Sequence, residues 1–214
     1  MRTFVFGGPP ASGKSCAVRW FLGTSRGFGR AGVAKVDCHA APDVEGFRAQ
    51  GWPARAWLAG RVCPDHFLLE NLPEVRAWAA LEGLDTLVIE TAGLCGRCAP
   101  YLCGAAAVAV VDATSGIRAP AKLGPLLQDA DACVVTRGDL VSQAECQVFA
   151  AGVRGRNPRA PQIALNGLTG EGAGELARVL DGLVPGAGEG PRTRLPRLFC
   201  SYCLGRTEAG IGLL

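Results

Sequence analysis

The residues with the clearest chemistry are Gly8-Pro9-Pro10-Ala11-Ser12-Gly13-Lys14-Ser15, which fit G-x-x-x-x-G-K-[ST] throughout. Successive backbone N–H groups in such a loop, with a helix N-terminus behind them, take phosphate oxygens. Gly13 lets the backbone approach closely. Lys14 would reach the β- and γ-phosphates, the Ser15 hydroxyl would ligate magnesium, and Cys16 follows in the same run. The motif specifies a nucleoside triphosphate and says nothing of its use. Magnesium then needs a carboxylate. Glu90 ends an apolar run and opens Glu90-Thr91-Ala92-Gly93, where a carboxylate can hold the cation and the Gly93 amide can meet the γ-phosphate. Asp37, at the end of another apolar run, is a second acid expected to face the phosphates.

Thr136-Arg137-Gly138-Asp139 has the form of a base-reading turn. A carboxylate at Asp139 accepts from the guanine ring N–H and the exocyclic amine, a donor pair that adenine does not offer. The Arg137 stem can pack over the base as a lysine stem would. Farther on, Asn166 and Gly167 are expected to bring backbone amides to the guanine oxygen.

Sulfur chemistry forms a separate layer. Cys63 and His66 supply a thiolate and an imidazole, which suit zinc, nickel or iron, and two copies in a dimer would make a four-ligand site. Cys95-Gly96-Arg97-Cys98 directly follows the Glu90–Gly93 run, so a nucleotide-driven movement there would carry thiolates with it. Cys200-Ser201-Tyr202-Cys203 is a second pair. The four thiolates can form one metal or iron–sulfur site within a chain or between two; a redox role for the pairs, or an inert one, stays open. Cys16, Cys133 and Cys146 read as small core residues, and Cys38 and His39, which follow Asp37, could be extra ligands.

The elements needed to position these groups alternate. Short apolar runs at 3–6, 32–37, 54–58, 86–89, 105–111, 132–136 and 162–165 read as strands. Stretches at 14–22, 43–50, 64–80 (interrupted at Pro73), 142–153 and 174–183 read as helices, the fourth opening with the Ser142/Glu145 capping-box spacing. The pattern implies a three-layer α/β domain with a mostly parallel central sheet over residues 1–183, then a linker and short cysteine-bearing tail over 184–214. With 49% hydrophobic and 19% charged residues the chain is a folded domain. No apolar run approaches the roughly 18 residues of a membrane span. A net charge of +3, with scattered basic residues, gives no nucleic-acid footprint. Ten cysteines without a signal-peptide pattern fit a reducing compartment, the cytoplasm.

Taken in order, GGPPASGKS (7–15), VDCHAAPDVEGF (36–47), Cys63-Pro64-Asp65-His66, IETAG (89–93), TRGDL (136–140) and APQIALNGLTGEG (160–172) resemble the metallochaperone GTPases of the urease-accessory (UreG) and hydrogenase-accessory (HypB) type, within the SIMIBI class of P-loop NTPases. The resemblance covers residues 3 to about 183. It implies a slow, regulatory GTP hydrolase that uses Mg²⁺, forms a nucleotide-dependent homodimer, and delivers nickel or another metal to a client metalloenzyme or its accessory proteins. By position it makes Lys14, Ser15, Asp37 and Glu90 the catalytic and magnesium residues, and Cys63 and His66 the ligands of the transported metal. The chain departs from the family's C-P-H by one inserted residue, Asp65, so its ligands stand three apart and still share a helix face. A nucleotide-dependent iron–sulfur carrier or reductive activator is the alternative that the extra cysteines raise. A small-molecule kinase on the same loop lacks an arginine-rich lid.

Overall fold

The structure is a computed structural model, described here for residues 1–93 and 100–193. Seven strands form one sheet: β1 (Arg2–Gly7), β2 (Ala31–Asp37), β3 (Ala54–Leu58), β4 (Thr86–Thr91), β5 (Ala106–Asp112), β6 (Ala132–Thr136) and β7 (Gln162–Leu165). Their order is β3-β2-β4-β1-β5-β6-β7, and every pairing is parallel, so the sheet is wholly rather than mostly parallel. The helices are α1 (Lys14–Thr24), α2 (Asp43–Ala49), α3 (Pro64–Leu81), the short α4 (Ala119–Lys122) and α5 (Gly124–Gln128), α6 (Gln143–Arg156) and α7 (Ala173–Gly182).

The strands are apolar because both sheet faces are covered, and side chains alternate between the two layers. Val5, Val36 and Ile89 face α3 and α6, where Leu68, Leu72, Val75, Phe149 and Val153 are buried. Phe4, Phe6 and Val88 face α1 and α7, meeting Val18, Phe21, Leu176 and Leu180. Phe4, Phe21 and Phe28 pack edge to face with centroids 4.9–5.4 Å apart.

Topology places the site. β1 lies between β4 and β5, so chain order reverses around it, and open α/β sheets bind ligands in the crevice at the carboxyl ends of such strands. The loops after β1, β2, β4 and β6 all emerge at this end. They carry the phosphate loop, Asp37, Glu90 with Gly93, and Asp139.

One expectation about the helices changes in detail. Pro73 does not interrupt α3, which runs unbroken through it. Pro73 is exposed, and the buried face of α3 (Leu68, Leu72, Val75, Trp78, Ala79) offsets the ~3 kcal/mol cost of an interior proline. The capping box at Ser142 and Glu145 is present and starts α6. Beyond α7, residues 190–192 fold back onto the segment before β5. Arg192 N–H donates to Tyr101 O, and its guanidinium reaches Leu102 O, Ala105 O and the Asp131 carboxylate. The start of the tail is therefore tied to its own domain. Cys95, Cys98, Cys200 and Cys203 lie outside the described residues.

Candidate functional site

Residues 8–15 leave β1 and enter α1 through a tight loop. Ala11 (φ +57°) and Gly13 (φ +88°) both take left-handed backbone, which turns consecutive amides toward one concavity. Gly13 is also the N-cap of α1, and no side chain caps that end, so its amides serve the same concavity. Pro9, Pro10 and Ala11 form the outer rim, while Ser12 is buried with a hydroxyl that has no hydrogen-bond partner among the described residues. A cavity of about 430 Å³ sits here, bordered by Lys14, Ser15, Asp37, Asp43 and Glu90.

Lys14 is 5% exposed, and its ammonium donates to Gly8 O (2.9 Å), Pro9 O (2.7 Å) and Ala92 O (3.4 Å). Burial pushes its pKa from the ordinary 10.5 down to about 8; Glu90 opposes the fall and Lys35 adds to it. Phosphate binds the ammonium form, so above about pH 8 binding must take up a proton. GTP affinity is expected to be flat below roughly pH 7 and to fall toward tenfold per unit above roughly pH 8. Calorimetry near pH 8.5 in two buffers of different ionisation enthalpy should register this proton uptake. A flat affinity up to about pH 9 would remove Lys14 titration from the binding step.

Beneath the loop lies a compact polar cluster. Ser15 Oγ is 2.8 Å from Glu90 Oε1 and 2.9 Å from Asp43 Oδ2, and its one proton serves a single acceptor at a time. Lys35 Nζ donates to Glu90 Oε1 at 2.5 Å, Asp43 Oδ2 at 3.2 Å and Ser15 Oγ at 3.3 Å. Burial alone would lower the Lys35 pKa, but Glu90 and then Asp43 hold it above the ordinary lysine range. Partial burial alone would raise Asp43, but Lys35 and the Ser15 hydrogen bond bring it below the ordinary carboxylate range. Glu90 is 1% exposed, and its Oε2 has no hydrogen-bond partner among the described residues. Hard oxygen donors gathered around one positive charge, with a buried carboxylate oxygen left over, fit magnesium. Asp37 borders the same cavity, but its Oδ1 accepts from the Cys38 N–H (2.8 Å), whereas Asp43 is the acid hydrogen-bonded to Ser15.

Sequence reasoning gave no role to Asp43, although it is the second acid of the quoted VDCHAAPDVEGF segment. It also passed over Lys35. The available signal was a lysine inside an otherwise apolar strand, two residues before Asp37 and so on its face.

The base end is coupled to the phosphate end. Thr136 Oγ1 donates to Ser12 O (2.8 Å), tying β6 to the phosphate loop. Arg137 holds φ +55° and pairs with Asp112, which keeps its stem beside the cleft. A second cavity of about 250 Å³, bordered by Asp139, Gly167 and Leu168, shares Gly13, Cys16 and Arg137 with the phosphate cavity. Gly167 O accepts from Trp20 Nε1 (2.9 Å) and Cys16 Sγ (3.2 Å), fixing the loop after β7 to α1. The Asn166 N–H, expected to face a base, is taken by Glu171 O (3.0 Å), and the Asn166 side chain accepts from the amides of Leu168 and Thr169. Of the two residues expected to offer amides, Gly167 remains. Cys16 and Cys146 are half-buried at this end and not in the core, because the two helices carrying them border the clefts. Cys133 is a core thiol that burial pushes up to about 12.

Cys63 is the N-cap of α3 and half-buried; His66, in the first turn, is 1% exposed. The strand-end hydrogen bonds Ala59 N–Asp37 O and Gly60 N–Cys38 O hold this helix start beside the end of β2. Cys38 is a poor thiolate, since burial and then Asp37 and Asp65 raise its pKa. Among the described residues, no three His, Cys, Asp or Glu side chains are arranged to hold a metal ion.

Comparison with known proteins gives this geometry a family. The chain is 38% identical to the uncharacterised protein MJ0120 of Methanocaldococcus jannaschii over 213 residues, 97% of this chain and 91% of that one. Its fold is similar to that of HypB from Helicobacter pylori, solved in complex with nickel (TM-score 0.68, 19% identity, 84% of this chain and 85% of that one). It is also similar to the hydrogenase maturation factor HypB from Archaeoglobus fulgidus (TM-score 0.61, 21% identity, 85% and 89%). The family description "CobW/HypB/UreG, nucleotide-binding domain" matches residues 2–164, a span that holds the phosphate loop, the Ser15–Asp43–Glu90 cluster and the Asp139 turn, and the chain belongs to that family.

Proposed function

We propose that the protein binds and hydrolyses GTP with Mg²⁺, slowly and as a regulatory switch, and uses the cycle to deliver a transition metal to a client metalloenzyme. The observation that carries this reading is the path from Glu90 to Gly93. The strand that carries the magnesium acid next to its last residue continues to a glycine three residues beyond that acid, lying against the phosphate loop, and the sequence then runs directly into Cys95 and Cys98. What the nucleotide does to Gly93 is passed to the cysteine segment.

In this mechanism Ser15, Glu90 and Asp43 would hold Mg²⁺, with Asp37 beside them, and the ion would supply charge neutralisation of the β- and γ-phosphates. The residues of the chain do the rest. Lys14 exchanges its carbonyl partners on Gly8 and Pro9 for phosphate oxygens. The loop amides and the α1 N-terminus orient the triphosphate. Asp139 and the Gly167 amide read guanine, with the Arg137 stem over the ring. We assign no general base among the described residues.

Cys63 and His66 are the proposed cargo ligands. They supply two donors per chain, so a homodimer joined at the nucleotide face would complete a four-donor site for nickel or zinc once His66, buried in the single chain, turns outward. We also assign residues 1–183 to the GTPase domain and 184–214 to a cysteine-bearing tail, in a cytoplasmic protein. No helix among the described residues is long and apolar enough to cross a membrane. A second reading, a nucleotide-dependent iron–sulfur carrier, is favoured by the Arg192 anchorage. It fixes Arg192 beside Tyr101 and Leu102, and Cys200 follows eight residues on, within an extended reach of about 29 Å.

The deciding experiment is elemental and acid-labile sulfide analysis of anaerobically purified protein, with and without GTP and Mg²⁺. Half a metal ion per chain that requires nucleotide supports metal delivery from a shared site. Iron with matching sulfide supports the cluster carrier. No metal under any condition rejects both and leaves a bare nucleotide switch.

A further inference from the structure

β2 is buried on both faces, and every residue in its middle is apolar except Lys35, which is 5% exposed. A buried ammonium survives only where acids and hydrogen-bond acceptors surround it. Lys35 has three acceptors: Glu90 Oε1 at 2.5 Å, Asp43 Oδ2 at 3.2 Å and Ser15 Oγ at 3.3 Å. These come from β4, the start of α2 and the start of α1, three elements far apart in sequence. They are also the three groups assigned above to magnesium. An ammonium and a divalent cation cannot hold the same oxygens at these distances, because their mutual repulsion in a buried site is large.

We propose that Lys35 is an internal counter-cation of the nucleotide site, holding Ser15, Asp43 and Glu90 in register and making magnesium binding conditional on the triphosphate. The inference rests on the reading of Ser15 and Glu90 as magnesium ligands. The acids Asp37, Asp43 and Glu90 are balanced on the same cavity by Lys35, Lys14 and Arg19, the last 4.0 Å from Asp43, which makes it a weak lure for a divalent ion. A triphosphate adds several negative charges at the same place and tips the competition. The lysine stem is long enough to release Glu90 and turn along its own strand face to Asp37, two residues away, or to a phosphate oxygen. Nucleotide and magnesium then load together, and neither is retained well alone. A merely structural ion pair would stabilise the fold without linking the two ligands.

Manganese reports the site through its electron paramagnetic resonance signal. Wild-type protein titrated with Mn²⁺ alone should bind weakly, in the millimolar range, and at least 100-fold more tightly with a non-hydrolysable GTP analogue. Lys35→Gln keeps a hydrogen-bond donor to Glu90 but removes the charge. It should bind Mn²⁺ without nucleotide at least tenfold more tightly than wild type, and the gain from adding nucleotide should shrink. A tight manganese site in nucleotide-free wild type overturns the proposal, as does a folded Lys35→Gln protein with wild-type manganese affinity. If that variant fails to fold, the wild-type titration decides alone. If wild type binds no GTP analogue at any manganese concentration, the nucleotide reading itself fails and takes this inference with it. Nucleotide binding with no change in manganese affinity rejects only the role of Lys35.

Discussion

Asp139→Asn is expected to lower GTP affinity by about 100-fold or more and to raise affinity for xanthosine triphosphate. Asp139 sits in the turn after β6, on the border of the 250 Å³ base-end cavity. In the proposed GTP complex its carboxylate would present two acceptors to the guanine N1–H and exocyclic amine, and hydrogen bonds to a charged partner contribute about 1.5–3 kcal/mol each. An asparagine presents one acceptor and one donor. Its NH₂ opposes the guanine amine, leaving two donors facing each other, and about 2.8 kcal/mol of loss is 100-fold. Xanthine carries a carbonyl where guanine carries the amine, so the same NH₂ becomes complementary. The backbone around Asp139 is fixed independently: Thr136 bonds to Ser12 O, and Leu140 N–H donates to Arg137 O. The substitution should therefore leave the fold and the phosphate end intact. Competition titrations with GTP, ATP and xanthosine triphosphate measure the effect directly. Unchanged GTP affinity would mean that the base is read elsewhere, and the family reading of TRGDL would lose its physical content in this chain.

The sequence was legible wherever one local rule decided the outcome. The five inner strands are short and largely apolar because each is covered on both faces, and burial of both faces writes itself into consecutive residues, while the edge strands β3 and β7 each leave residues exposed. The phosphate loop and the Ser142 cap are set by contiguous residues and were read from them. Pro73 misled because propensity is local, while the packing of Leu72, Val75 and Trp78 against the sheet is not. The polar cluster was half legible for a similar reason. Ser15 and Glu90 belong to motifs, but the meeting of Lys35 with Asp43 depends on how β2 and α2 are placed beside β4, and no spacing along the chain records that. Asn166 shows the limit in reverse: a plausible amide donor was already engaged by Glu171, five residues on in its own turn.

Gly93→Ala is expected to cut single-turnover GTP hydrolysis by about 100-fold while sparing GDP binding. Gly93 is buried at φ +69°, where a side chain already costs roughly 1 kcal/mol or more. Space decides the larger part. A Cβ built on Gly93 would lie 1.6 Å from Gly8 O and 2.8 Å from Gly8 C, both backbone atoms of the phosphate loop. No rotamer change relieves a clash with backbone, so one segment must retreat until the contact exceeds about 3 Å. Gly8 is buried and held by β1, and its carbonyl accepts from Lys14. The segment after β4 is held here by a 3.4 Å contact between Lys14 and Ala92 O, so it is the part that yields. A retreat of more than an ångström would remove the Gly93 amide from the γ-phosphate position proposed for it, and misplacement on that scale costs on the order of 100-fold in rate. GDP has no γ-phosphate and loses nothing. The signature is therefore a collapse of the GTP-to-GDP affinity ratio toward one, together with the loss of turnover. Because residues 94–98 follow directly, any metal bound through Cys95 and Cys98 should also stop responding to nucleotide. Wild-type turnover in Gly93→Ala would place the γ-phosphate away from this loop and break the proposed link between hydrolysis and the cysteine segment.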